Sequence, residues 1–125
     1  MGRPMSVLVD SCILIDFLSG REQARAYLLG VGGAAISLVT WMEVMTGASS
    51  PEEEAAIRGF LAAFVVLPVD TAVAEEAVGL RRACRLKLPD AIIYATARVH
   101  GRTLATRNTR DFRHGEVGVD LPYVL

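Results

Sequence analysis

Near its N-terminus the chain runs VLVDSCILID over residues 7–16, a short apolar run that ends in an acid and leads into a second apolar segment. Val7–Val9 predicts a buried strand, and residues 11–18 predict a helix that ends at Gly20. Further strands are predicted at 34–37, 65–67 and 103–105, with 123–125 as a fifth candidate. Short strands that alternate with helices indicate an α/β fold with a mostly parallel, four- to five-stranded sheet and helices on both faces.

The remaining helices are predicted between these strands, at 21–29, 39–46, 51–64, 71–85 and 89–100. The clearest start is the sequence SPEE at residues 50–53, where Ser50 can cap the helix, Pro51 takes its first position and Glu53 completes a capping box. Either Asp70 or Thr71 is the predicted cap of the long helix that follows the third strand.

The size and composition are those of one ordinary domain. The chain has 125 residues, of which 52% are hydrophobic and 22% are charged. We expect a single domain over residues 1–125, with 1–5 as a flexible N-terminal extension, either native or added, and Met5 as the alternative start. No signal peptide is visible and residues 7–18 are too short to span a bilayer, so we expect a soluble, cytoplasmic protein. Cys12 and Cys84 match no metal-binding spacing and are interpreted as buried or partly buried free thiols.

Four acids occupy the places where ligands bind in such a sheet, beyond the carboxyl ends of its strands. Asp10 follows the first predicted strand and Asp111 lies in the turn after the fourth. Glu43 lies on the helix after the second strand, and Asp90 opens the helix before the fourth. Each has an ordinary alternative: Asp10 as a helix cap, Asp90 as a first-turn acid, Asp111 as a turn residue, and Glu43 as the partner of an arginine.

Taken together, the four acids favour a metal site. Clustered carboxylates repel one another and stay ionised together only around a cation. Without His or Cys, the set suits a hard ion such as Mg²⁺ or Mn²⁺, and this makes phosphodiester chemistry the leading hypothesis. Hydroxyl and amide groups of Ser11, Thr106 and Asn108 are predicted to orient a carboxylate or a water beside the metal.

Positive charge is concentrated in the C-terminal third. Residues 81–113 contain nine of the 13 Lys and Arg residues but only two of the 14 acids, Asp90 and Asp111. This window is a candidate surface for a polyanion, although Arg81, Arg82 and Arg85 also fit a solvated helix face. Arg107 and Arg110, beside Asp111, fit a solvated helix face less well and are the stronger candidates for contacts to such a polyanion.

The same residues resemble a known family. The stretch at 7–16, the segment SLVTWMEVMTG at 37–47, the segment LPDAIIYATA at 88–97 and the segment LATRNTRDF at 104–112 resemble, in order and spacing, the four motifs of a PIN domain. The resemblance covers nearly the whole chain. Within that family, the size and motif style are similar to VapC toxins of bacterial type II toxin–antitoxin pairs.

The resemblance implies a Mg²⁺- or Mn²⁺-dependent endoribonuclease whose acidic site is Asp10, Glu43, Asp90 and Asp111. It also implies that the central helix begins at the site, which brings Asp90 to the correct end of the sheet. The expected partners are an RNA substrate, a small cognate antitoxin and a second copy in a homodimer, which forms a higher-order complex with the antitoxin. Cleavage would leave a 3′-hydroxyl and a 5′-phosphate, and Arg107 and Arg110 would contact the RNA backbone.

Two positions depart from the family pattern. Some relatives carry an acid where this chain has Asn108, so Asp111 is expected to be a weaker or water-mediated ligand. Tyr94 replaces a small residue and is expected to line the substrate channel or a dimer interface. Asp16, in the first motif, is interpreted as a surface or helix-pairing residue.

Three alternatives remain at this level. A metal-dependent phosphatase of the aspartyl type would need an Asp where this chain has Cys12. A receiver-like signalling domain would need a Lys after the last strand, but Lys87 is the only lysine. A PIN domain that binds RNA without cleaving it remains open, although the intact set of acids disfavours it.

Overall fold

A parallel β-sheet forms the centre of the molecule. The computed structural model describes residues 7–108, 112 and 118–124. Within these residues the sheet has five strands, all paired in parallel, in the order β3-β2-β1-β4-β5. The strands are β1 (Val7–Val9), β2 (Ala35–Ser37), β3 (Val65–Leu67), β4 (Thr103–Ala105) and β5 (Val119–Asp120). The predicted α/β fold with a parallel sheet is therefore confirmed.

Six helices connect the described strands. They are α1 (Ser11–Leu18), α2 (Glu22–Leu29), α3 (Leu38–Met45), α4 (Pro51–Leu61), α5 (Thr71–Cys84) and α6 (Leu88–Val99). The predicted helices are all present, and each of their ends lies within three residues of the predicted position. None of the described helices is long and apolar enough to cross a membrane.

Alternating side chains of the strands supply two cores, one on each face of the sheet. Successive residues of a strand point to opposite faces. Leu8 of β1 therefore joins the core under α5 and α6, whereas Val9 joins the core under α1 to α4. Leu104 and Ala105 of β4 divide in the same way. Both cores are needed because a parallel sheet is stable only when helices cover both of its faces, as the sequence predicted.

Helix caps identified in the sequence are present. The Ser50 hydroxyl accepts a hydrogen bond from the Glu53 N–H at 3.1 Å, and Pro51 begins α4. The Glu53 carboxylate reaches the Ser49 N–H and hydroxyl rather than the backbone of Ser50, so the capping box is extended by one residue. Asp70, not Thr71, caps α5 by accepting from the Val73 N–H at 2.9 Å.

Two predictions, for the fifth strand and for Cys84, were wrong. The fifth strand is Val119–Asp120 rather than 123–125, because Val119 pairs in register with Leu104 of β4. Tyr123 lies beyond this strand, and Leu125 is outside the described residues. Cys84 is exposed, since the last turn of α5 leaves the core and faces water; Cys12 is half-buried, as expected.

Candidate functional site

Asp10 and Thr106 meet at the carboxyl edge of the sheet. Val9 of β1 is in register with Ala105 of β4, so the next residue of each strand lies side by side, and the Asp10 N–H donates to the Ala105 carbonyl at 2.9 Å. β2 and β3 lie on one side of β1, and β4 and β5 lie on its other side, so the order of the strands reverses between β1 and β4. Parallel sheets bind ligands at such a switch point. The topology therefore places Asp10 where a ligand site is expected.

Four donors surround the Asp10 carboxylate. The Thr106 hydroxyl donates to Oδ2 at 2.7 Å, and the Cys12 thiol approaches the same oxygen at 3.6 Å. The Ser11 N–H donates to Oδ1 at 2.7 Å, with the Ser11 hydroxyl at 3.4 Å. The N–H of Asn108 donates in turn to the Thr106 hydroxyl at 3.0 Å, so this hydroxyl directs its own proton to Asp10. Of the three predicted supporting residues, Ser11 and Thr106 therefore donate directly to Asp10, and Asn108 orients Thr106.

Asp10 caps α1 and is also a buried acid, so its two interpretations are not exclusive. Asp10 is only 3% exposed. Burial raises the pKa of the Asp10 carboxyl above its usual value, and the hydrogen bonds from Thr106 and Ser11 offset part of that rise. A buried carboxylate stays ionised more readily when a cation lies beside it.

Cys12 contributes a neutral thiol to this environment. Burial and the neighbouring Asp10 raise the pKa of the thiol to about 11. At neutral pH Cys12 is therefore protonated and donates a hydrogen bond, rather than acting as a thiolate ligand or nucleophile. The Arg107 N–H donates to its sulfur at 3.4 Å, which links α1 to the segment after β4.

The connection between α6 and β4 indicates the edge of the sheet at which Asp90 lies. Asp90 is the third residue of α6, and the chain turns from the end of α6 directly into β4, where the Arg102 N–H donates to the Ala97 carbonyl. Three residues separate α6 from β4, so the chain reverses there and the N-terminus of α6 is directed towards the carboxyl edge. Asp90 is half-buried, and Ala91 beside it packs in the same core as Leu8.

Glu43 lies in a groove rather than in an apolar interior. The groove lies between α1, α3 and α4, has a volume of about 440 Å³, and is lined by residues that include Ile15, Leu18, Glu43, Val44 and Ile57. Glu43 is exposed, although its neighbours in sequence are apolar. The acid remains on α3, which starts at the carboxyl end of β2.

Asp111 and Arg110 lie outside the described residues. Among the residues that are described, no group of three or more His, Cys, Asp or Glu side chains is arranged to hold a metal ion. The four-acid set therefore stays a prediction, in which Asp10 is the acid whose surroundings are defined in most detail.

Sequence reasoning missed an ion pair beside the site. Asp16, interpreted from the sequence as a surface or helix-pairing residue, is 5% exposed. It accepts two hydrogen bonds from Arg107, Nε to Oδ2 at 2.5 Å and Nη2 to Oδ1 at 2.9 Å. The Tyr123 hydroxyl donates to the same carboxylate at 2.7 Å. Burial alone would raise the pKa of Asp16, but the bonds from Arg107 and Tyr123 hold that pKa below its usual value. The one sequence feature that pointed to this ion pair was the presence of Asp16 in a helix that is otherwise mostly apolar.

Tyr94, expected to line a substrate channel or a dimer interface, lies in the core. The residue is 3% exposed, and its ring packs edge-on against Phe112 with centroids 5.5 Å apart. Tyr94 is therefore a core residue that anchors Phe112, rather than a wall of a channel or a dimer interface. An aromatic ring buries a large apolar area, which explains why it fits under the sheet.

The donors around Asp10 fit a hard divalent cation. The available ligand atoms are carboxylate and hydroxyl oxygens, and the nearby sulfur of Cys12 stays protonated at neutral pH. Oxygen donors suit Mg²⁺ and Mn²⁺, whereas a zinc site would draw on thiolate or imidazole. The buried carboxylate with its raised pKa is the feature that a cation would stabilise.

Comparisons with known proteins agree with this architecture. The family model described as the PIN domain matches residues 7–117. A toxin–antitoxin complex from Klebsiella pneumoniae contains a chain 47% identical to this one, with a TM-score of 0.89 over 96% of this chain and 100% of that chain. FitAcB from Neisseria gonorrhoeae is 25% identical, with a TM-score of 0.79 over 95% and 99% of the two chains. No curated protein sequence matches the chain.

DNA-bound VapBC from Salmonella typhimurium is 24% identical, with a TM-score of 0.78 over 92% of this chain and 96% of that chain, and shows the shared fold. The chain belongs to the PIN-domain family. Its resemblance to VapC-type toxins, inferred from the motifs, is confirmed.

Proposed function

We propose that the protein is a metal-dependent endoribonuclease and the toxin of a VapBC-like, type II toxin–antitoxin pair. The observation that carries the proposal is Asp10, a buried carboxylate at the switch point of a PIN-family sheet with four donors directed at it. A fold could be maintained more simply with an apolar residue at this position, because burying a carboxylate is costly. Such costs are concentrated at functional sites.

The proposed site comprises Asp10 and Asp90 as direct ligands of Mg²⁺ or Mn²⁺, with Glu43 and Asp111 completing it directly or through water. When bound, the cation neutralises charge on the scissile phosphate and makes a neighbouring water more acidic. Thr106 and Ser11 keep the Asp10 carboxylate in one orientation, and Asn108 fixes the direction of the Thr106 hydroxyl. Preorganised polar groups of this kind avoid a reorganisation cost during the reaction.

The substrate in this proposal is RNA, cleaved in the cytoplasm at a phosphodiester bond. Arg107 and Arg110 were predicted to contact the RNA backbone. The Arg107 guanidinium pairs with Asp16, so an RNA contact by Arg107 would be additional to this pairing. Phosphate contacts orient the strand and carry no sequence information, so the target must be selected by bases and RNA shape.

The proposed antitoxin binds as a segment in the groove between α1, α3 and α4. Ile15 and Leu18 are exposed apolar side chains on one wall, and Glu43 and Glu53 place negative charge beside them. An apolar segment with a basic side chain would complement this surface. Its basic group would lie near the proposed metal site, because Glu43 belongs to both the groove and that site. The similarity to a chain of a toxin–antitoxin complex supports such a partner.

A homodimer, and a higher-order complex with the antitoxin, are part of the same proposal. Exposed apolar side chains that favour further association include Leu38 and Met42 on α3 and Val65 on the edge strand β3.

The test of the proposed function is RNA cleavage by the purified protein with Mg²⁺, with Mn²⁺ and with EDTA. The wild type is compared with Asp90→Asn and Asp10→Asn. We expect metal-dependent cleavage by the wild type and a loss of at least about 100-fold in each variant, because each removes one anionic ligand. Glu75→Gln, an exposed acid on α5, is the matched control and should cleave like the wild type.

Two outcomes would overturn the proposal. Equal cleavage by the wild type and both site variants would identify a contaminating nuclease or a different site. RNA binding without cleavage, by a folded protein and with several RNAs, would support the non-catalytic PIN domain. Release of a 5′-phosphate product, identified by mass spectrometry, would agree with the polarity expected for the family.

A further inference from the structure

The turn between α5 and α6 presents a group of cations to solvent. Arg82, Arg85 and Lys87, here called the basic turn, are all exposed. Within the described part of the chain, none of the three forms an ion pair. By contrast, acids pair with Arg25, Arg58, Arg98 and Arg107. The basic turn therefore offers positive charge that no described acid of the protein neutralises.

The backbone of the turn is held in a defined shape. Arg85 ends α5 in the left-handed conformation, with φ 57° and ψ 30°, and its N–H donates to the Arg81 carbonyl. The Arg81 guanidinium reaches across the turn and donates to the Leu86 carbonyl at 2.6 Å. Leu86 is 3% exposed and packs in the core under α5 and α6. The turn is thus fixed by Arg81 and Leu86, while its neighbouring cations extend into water.

The basic turn lies at the edge of the sheet that carries the candidate site. Lys87 is the N-cap of α6, and Asp90 is three residues further along. The N-terminus of α6 lies at the carboxyl edge of the strands, as do Asp10 and Thr106. Its backbone dipole adds positive potential at the same place. The acids of α5 nearest in sequence, Glu75 and Glu76, lie about two turns before the cations on that helix.

A surface of this kind has a clear electrostatic role beside a carboxylate site. Acids repel the phosphates of an approaching nucleic acid, and nearby fixed cations offset that repulsion. Since Arg107 is already paired with Asp16, the exposed basic turn is better placed to supply those cations. Arginine also matches phosphate oxygens with two parallel hydrogen bonds.

We infer that the basic turn is a binding surface for the RNA backbone, which holds the strand on the α6 side of the scissile phosphate. The inference rests on the proposed ribonuclease function and adds a surface that is separate from Arg107 and Arg110. It assigns Arg82, Arg85 and Lys87 to phosphate contacts and Arg81 to support of the turn.

The test is the binding of a labelled single-stranded RNA to the Asp90→Asn protein, which is not expected to cleave it, over a range of salt concentrations. The triple variant Arg82→Gln, Arg85→Gln, Lys87→Gln is made in this background. Three lost phosphate contacts on a single strand should lower the slope of log affinity against log salt by about 2. The affinity at low salt should fall at least about tenfold.

The matched control is the triple variant Arg21→Gln, Arg25→Gln, Arg58→Gln, which removes the same charge from exposed positions on other parts of the molecule. It should change the slope by less than about 0.5, since general attraction is weaker than direct contact. In the cleaving protein, which retains Asp90, the basic-turn substitutions should raise KM for RNA with little change in kcat. Circular dichroism and thermal melting establish that each variant is folded.

Three results would overturn the inference, and they are distinguishable. Equal binding by the two triple variants would remove the basic turn from the RNA surface and leave the proposed function intact. Loss of co-purification with the antitoxin, at unchanged RNA affinity, would assign the turn to a protein partner. Absence of both RNA binding and cleavage in all folded proteins would overturn the proposed function together with this inference.

Discussion

Two arginine–carboxylate pairs of the same chemistry lie in different surroundings. Arg107 binds Asp16 through two nitrogens, and the side chains are 32% and 7% exposed. Arg98 binds Glu76 through Nε at 2.7 Å, with side chains that are 47% and 34% exposed. The first pair joins α1 to the segment after β4, and Tyr123 adds a third contact. The second joins α5 and α6, which already pack through their apolar faces.

The difference shows why geometry alone does not give the value of an ion pair. Water screens the Arg98–Glu76 pair, and such exposed pairs contribute about 0–1 kcal/mol. The Asp16 carboxylate has little access to water, so removing its charge would leave Arg107 without compensation at a partly buried position. The Arg107–Asp16 pair, here called the inner pair, also lies next to Thr106, whose hydroxyl donates to Asp10. The exposed Arg98–Glu76 pair is called the outer pair.

The largest effect is expected from Asp16→Asn. An asparagine keeps the shape but is neutral, and its NH₂ group would face one of the two arginine nitrogens, so the free energy of unfolding should fall by about 2–3 kcal/mol. Denaturation in urea measures this loss. In a Cys84→Ser background, alkylation of Cys12 should also accelerate, because the Arg107 N–H covers its sulfur. A loss below about 0.5 kcal/mol would mean that the inner pair is no different from the outer one.

The effect of Asp16 should depend on pH in a defined direction. Its pKa is lowered in the folded protein, because the bonds from Arg107 and Tyr123 outweigh the effect of burial. The stabilisation is therefore fully present above the unfolded carboxyl pKa of about 4 and is lost as the pH falls through the folded pKa. Wild type and Asp16→Asn should accordingly converge in stability below about pH 4. A constant difference down to acid pH would contradict this.

Thr106→Val should have the next largest effect. It removes the hydroxyl donor from the buried Asp10 carboxylate and the acceptor from the Asn108 N–H. We expect a loss of about 1–2 kcal/mol in unfolding free energy and weaker Mn²⁺ binding by calorimetry. Thr106→Ser keeps the hydroxyl and is the control. If valine and serine behave alike, the hydroxyl does not position Asp10.

The effect of Asp10→Asn on stability should depend on pH in the direction opposite to that of Asp16→Asn. Burial raises the pKa of Asp10, so the folded chain holds this proton more tightly than the unfolded chain, and ionisation lowers stability as the pH rises. Asparagine does not ionise, so in metal-free protein the stability of the variant relative to the wild type should rise from acid pH to pH 8, while cleavage is lost. Denaturation in urea with EDTA measures this difference. A difference that stays constant or falls as the pH rises would contradict this explanation.

The smallest effect is expected from Glu76→Gln. The outer pair is exposed and screened, so the unfolding free energy should change by less than about 0.5 kcal/mol. Added salt should reduce even that difference, since screening lengths are about 10 Å at 0.1 M. A change comparable with that of Asp16→Asn would show that burial does not explain the contrast between the two pairs.

Several parts of the site were predictable because they depend on neighbours in sequence. Asp10 follows the apolar triplet of β1, and Thr106 follows the triplet of β4, so a parallel sheet brings them to one edge. The caps of α4 and α5 were predictable for the same local reason. The family motifs added the expectation that Asp90, the third residue of α6, lies at this edge.

Other parts depended on contacts between distant segments. Asp16 is separated from Arg107 by 91 positions and from Tyr123 by 107, and no local pattern pairs them. Glu43 has apolar neighbours in sequence, yet its face of α3 borders an open groove. The fifth strand was misplaced because a two-residue strand carries almost no pattern of its own and is fixed by its register with β4.

The sequence by itself determined the alternation of strands and helices, the caps and the order of the four acidic motifs, because periodicity and capping act over a few residues. Only the tertiary structure decided which polar groups are buried and what they bind. Burial arises when helices close over both faces of the sheet, and the electrostatic properties of Asp10, Cys12 and Asp16 follow from that closure.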